Sequence, residues 1–84
     1  MSKFPAGTPS AFAAAVEGRH PGTVSIMRYF AWSHLPEHLQ VFSAPIGLIA
    51  LEMVRELADS PELVAGLRKL LEAKDCFVRA ALDR

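Results

Sequence analysis

"LPEHLQVFSAPIGLIALEMVREL", Leu35 to Leu57, sets the architecture expected of this chain. Apolar residues fall at Leu35, Leu39, Phe42, Ile46, Ile49, Met53 and Leu57, in steps of three and four, the period of an α-helix. Pro36 suits a first helical turn, so a helix is expected over about residues 36–58. Pro45 removes one backbone hydrogen bond and should bend that helix. The phase runs through it unbroken, which predicts one bent helix rather than two. Val41, Ala44, Leu48 and Leu51 project to the opposite side. The middle of the helix is therefore apolar nearly all round, the pattern of a helix buried on both sides.

"ADSPEL" ends this helix and starts the next. Ser60 as N-cap, Pro61 at the first position and Glu62 in the first turn predict a second helix over 61–82. Leu63, Leu67, Leu70, Leu71, Phe77, Val78 and Ala81 share one sector of it. Lys74 falls near the centre of that sector. Arg68–Glu72 and Asp75–Arg79 are spaced as i,i+4 ion pairs on its flank.

Upstream, Pro5, Gly7 and Pro9 predict an extended arm over 1–9. Ser10 is a cap for a short helix over "AFAAAVEGR", ended by Gly18 and Pro21. Residues 22–33 read two ways: a linker with clustered aromatics, or one or two helical turns capped by Thr23. The expected architecture is all-α: an antiparallel helical hairpin, residues 23–84, behind an N-terminal arm with a short helix, residues 1–22. A chain of 84 residues buries only about 60% of its unfolded surface. With the doubly apolar first helix, this predicts a homo-oligomer.

Composition narrows the function. Hydrophobic residues make up 51% and charged residues 21%, which places the chain among folded domains rather than disordered ones. A formal net charge of zero argues against a general nucleic-acid binder. No run is long enough to span a membrane, and the alanine-rich start makes a poor signal peptide. One cysteine, Cys76, excludes an intrachain disulfide. The cytoplasm is the expected compartment.

Several side chains carry possible chemistry. Lys74 has two readings. Its stem packs on Leu70 and Val78 while the ammonium reaches water or pairs with Glu52 or Glu56; or it borders an anion pocket between subunits. A solvated helix face with ion pairs is the default reading of Arg68 and Arg79; the other is a phosphate site, because the planar guanidinium donates in a fork. Tyr29 and Trp32, with Phe30, either stack on a base or plug a small core. His34 and His38 have the i,i+4 spacing of metal ligands, but no third ligand is apparent and no metal or cofactor is expected. No nucleophile elbow or phosphate-binding glycine loop is present, so no enzyme is expected.

"HPGT", "HLPEHLQ", "SPE" and "LRKLLEAKDCFVRA" resemble a family of short proteins of actinobacterial phages, over residues 20–82. The pattern is also similar to the helical hairpin of phage anti-CBASS and anti-Thoeris proteins. Its marks here are an aromatic among Tyr29, Phe30 and Trp32, a polar turn at Asp59–Pro61, and "VRAAL" with Arg79. That resemblance implies a homo-oligomer in the host bacterial cytoplasm, a hexamer if it follows the best-known branches. It would sequester a cyclic di- or trinucleotide immune signal between subunits without cleaving it. Arg79, Arg68 and Lys74 would hold phosphates, and Tyr29 or Trp32 would stack a base. The dinucleotide-binding branch carries lysine midway along the first helix, where this chain has "FSAPIGLIAL". That departure counts against a cyclic-dinucleotide pocket there and leaves a trinucleotide-type site on the oligomer axis, with Arg79 and Arg68, less affected. The alternative is a small helical adaptor or virion component that docks on another protein.

Overall fold

Thr8 starts the first helix: its hydroxyl accepts from the Ala11 amide at 3.1 Å, with Pro9 at the first position. The cap is thus Thr8 rather than Ser10, and α1 runs Pro9–Ala15. The computed structural model describes residues 7–83; most of the expected N-terminal arm lies outside them. Gly18, with φ of 77°, turns the chain after α1 in the left-handed region that glycine tolerates. Pro21 does not end an element but opens one. The His20 ring accepts from the Gly22 amide at 3.0 Å, and α2 spans Pro21–Met27. Of the two readings of 22–33, the helical one holds for the first half, and a 3-10 turn, Arg28–Phe30, follows directly.

α3 spans Glu37–Glu56 as one helix with Pro45 inside it. α4 spans Pro61–Leu82, and Ser60 Oγ accepts from the Leu63 amide at 3.1 Å, as its sequence position predicted. The described residues form four α-helices and the 3-10 turn. The turn 57–60 joins the end of α3 to the start of α4. Phe42, early in α3, shares a cavity wall with Phe77, Ala80 and Ala81, late in α4.

The core draws on every element. Phe12 of α1, Val16 just after it, and Ile26 and Met27 of α2 meet Phe30, Trp32, Val54, Leu63 and Leu67. Gly7 ties the start of the chain to the aromatic linker, because its carbonyl accepts from the amides of both Trp32, at 2.9 Å, and Ser33, at 3.0 Å.

The face that α3 buries coincides with neither apolar stripe of the sequence, taking Leu39 from one and Ala44 and Leu51 from the other. It consists of Leu39, Gln40, Ser43, Ala44, Gly47, Ala50, Leu51 and Val54. Half of these are Gly, Ala or Ser, and size is the reason. A Cβ at Gly47 would collide with the Trp32 ring and lie 2.9 Å from the Phe30 carbonyl. Small side chains let the aromatic linker lie directly on the helix. The larger residues Val41, Phe42, Leu48, Ile49 and Met53 are left on the outer face. The expected burial of α3 on both sides is therefore met on one side only within a single chain.

Candidate functional site

Of the residues singled out by sequence, Lys74 has the most decisive surroundings. It is 8% exposed, and its Nζ donates to the Tyr29 carbonyl at 2.6 Å. The ammonium lies 6.0 Å from the Phe30 ring centroid and 3.9 Å from the Asp75 carboxylate. Burial holds its pKa below the usual lysine value, and Asp75 opposes that shift. The first sequence reading of Lys74 is thereby corrected. It neither reaches for water nor pairs with Glu52 or Glu56, and its ammonium is turned inward onto a carbonyl of the 3-10 turn. Carbonyls of a 3-10 turn lack regular helical partners, and a lysine from α4 supplies one.

Trp32 and Tyr29 separate. The Trp32 ring is fully buried, edge-on to Phe12 with centroids 5.8 Å apart, and closed in by Gly7 and Gly47. Of the expected stacking pair, only Tyr29 offers a ring to solvent, at 55% exposed. Arg28 lies over that ring, 5.4 Å from its centroid, a neighbour that sequence reading did not single out. Arg68 and Arg79 are both exposed on α4. Eleven residues separate them, about 16 Å along the helix. Arg79 donates toward Cys76 Sγ at 3.4 Å, while Asp75 sits nearer Lys74. The expected five-residue site is thus spread over the surface and core of a single chain.

A different cluster gathers where α2 meets the 57–60 turn, and Asp59 is its hub. Its carboxylate accepts from Arg19 Nε at 3.1 Å, from the His20 amide at 3.0 Å and from Thr23 Oγ1 at 2.8 Å. These donors, the Arg19 guanidinium first, hold its pKa at about 2. Arg19 also donates to the carbonyls of Val54 and Leu57, the latter at 2.8 Å, and so closes the C-terminal end of α3. The signal available in the sequence was the polar turn "ADSP" and the lone "GRH". Nothing in the spacing, forty residues, says that they meet.

Beside this cluster lies a cavity of about 600 Å³, open to solvent. Pro61 and Val64 give it an apolar wall, His20 and Thr23 border one side, and Arg68 borders it from α4. Arg68 is the one expected ligand residue on this cavity; Lys74, Arg79, Tyr29 and Trp32 are elsewhere. Asp59 also lines it, so the cavity sets one carboxylate and one guanidinium around an apolar wall, which suits a small, partly apolar ligand that meets both charges.

Among the described residues, no helix is long and apolar enough to cross a membrane. No protein-family model, curated protein or solved structure matches this chain.

Proposed function

We propose that this protein acts by self-association, as an all-helical binding module whose α3 and α4 form an antiparallel hairpin, with no catalytic step. One observation carries the reading. Val41, Phe42, Leu48 and Ile49 lie together on the outer face of α3 and are each 39% to 51% exposed. Contiguous apolar surface of this kind on a small domain marks an interaction site. Covering it with further copies also meets the need for more core that the chain length sets. Sedimentation velocity over a wide concentration range tests this. A species at a multiple of the 9.2 kDa chain mass is expected. A monomer at every concentration would overturn it, and would favour an adaptor or virion component that docks on another protein.

A second reading is favoured by Arg68 on its cavity. In it, the assembled copies sequester a cyclic di- or trinucleotide of a bacterial immune response in the host cytoplasm, the function implied by the resemblance to phage sponges. Arg68 and Arg79 would hold phosphates and Tyr29 would stack a base. Repetition by symmetry would bring together residues that one chain keeps apart. Calorimetry with a panel of cyclic di- and trinucleotides decides this; silence across the panel sinks it.

A further inference from the structure

We infer that two copies of this chain pair antiparallel along α3, about a two-fold axis at Pro45. This rests on the self-association proposed above and adds its register. The sequence of α3 is symmetric in character about Pro45. Pro45 sits on the exposed face of α3. Phe42 and Leu48 lie three residues to either side, and Val41 and Ile49 lie four. Both pairs share the exposed face, because three- and four-residue steps return to one side of a helix. Seven residues out, two turns either way, stand His38 and Glu52, both exposed.

An antiparallel two-fold pairing brings residue i of one copy opposite the residue equally far beyond Pro45 in the other. Val41 then meets Ile49, Phe42 meets Leu48, and His38 meets Glu52. The apolar pairs fill the centre, and one imidazole–carboxylate pair closes each end. A parallel pairing in the same register would set Glu52 against Glu52 and His38 against His38, which like charge disfavours.

A second feature fits the same register. Phe42, Phe77, Ala80 and Ala81 line a shallow cavity of about 280 Å³ between α3 and α4. It lies beside Phe42, where the pairing delivers Leu48 of the second copy. Leu48, itself 46% exposed, is an aliphatic knob for that hole. Phe77, 54% exposed on one chain although it belongs to the apolar sector of α4, becomes the far wall of the contact.

Cysteine cross-linking tests the register. In a Cys76→Ser background, Pro45→Cys places a thiol on the axis, opposite its own copy, and restores a helical hydrogen bond rather than breaking one. Mild oxidation should give a covalent dimer. Val41→Cys should not cross-link, because its own copy lies about 12 Å away along the helix, while a disulfide needs Cα atoms within about 7 Å. His38→Glu should weaken association about ten-fold, and adding Glu52→His should restore it. If the protein self-associates but Val41→Cys cross-links as readily as Pro45→Cys, or the charge exchange fails to restore pairing, the register is wrong and self-association stands. If the parent chain is monomeric throughout, both fail.

Discussion

Lys74 Nζ, on α4, donates to the Tyr29 carbonyl of the 3-10 turn at 2.6 Å, across forty-five residues of sequence. The bond fixes the turn that sends Trp32 into the core. A cation with 8% exposure is tolerated there because it has a carbonyl, an aromatic face and a neighbouring carboxylate around it.

Lys74→Met keeps the methylene stem but withdraws the donor from that carbonyl. We expect a loss of about 1–3 kcal/mol in chemical denaturation. We also expect no change in the affinity of any anionic ligand, since the ammonium faces inward. A variant that loses ligand affinity but keeps its stability would return Lys74 to the list of ligand groups.

Asp59 sets the acid limb of stability. Its carboxyl has a pKa of about 2 in the folded chain against 3.8 for an ordinary aspartate. The folded state therefore holds its proton less tightly than the unfolded state. That contribution is complete above the unfolded value and is lost as pH falls from about 4 toward 2. Asp59→Asn should flatten the fall in thermal midpoint across this window. An unchanged acid profile would show that another carboxylate is responsible.

Arg19→Ala removes the donors to Asp59 and to the Val54 and Leu57 carbonyls together. The expected loss is about 1–3 kcal/mol. Amide hydrogen exchange should quicken first in the last turn of α3, around Val54 to Leu57. Exchange that quickens evenly along the helix would contradict the capping role.

Gly47→Ala puts a methyl where the Trp32 ring lies. Overpacking of this kind costs about 1–3 kcal/mol. Trp32 is the sole tryptophan, so its emission reports the event directly. A red shift from the buried toward the exposed wavelength is expected. Unchanged emission and stability would mean that the linker yields without cost.

Ser43 Oγ is buried with no hydrogen-bond partner among the described residues. Ser43→Ala removes the unsatisfied hydroxyl and leaves the small volume in place. A gain of about 1 kcal/mol is expected from urea unfolding. A loss would reveal a partner for the hydroxyl, such as a buried water.

Much of the architecture was legible in local sequence. Ser60 and Pro61 placed the start of α4 on the residue, because capping depends only on neighbours. The unbroken phase through Pro45 told that α3 is one helix. The caps further upstream were less legible. Thr8 and His20 took positions read for Ser10 and Thr23, since each candidate was chemically suitable and packing made the choice. Thr23 went instead to Asp59.

The candidate site was less legible than the fold. Lys74 was visible as an anomaly on an apolar sector, and its need for a partner followed from the cost of burying a charge. The identity of that partner did not follow, because a backbone carbonyl leaves no mark in the sequence. Arg68 was found by residue type, while the Asp59 cluster and its cavity came from contacts about forty residues apart.

Local sequence was enough for an all-helical chain, the register of α4 and an α3 with more apolar surface than one chain covers. Those properties follow from periodicity and caps, which act over a few residues. Tertiary structure alone decided which face of α3 turns inward. Periodicity pointed to the large residues, but Trp32 needed a surface that it could approach closely, and only the small-residue face with Gly47 gave one. Choosing that face left Val41, Phe42, Leu48 and Ile49 outside, and the same choice created the surface on which the proposed function rests.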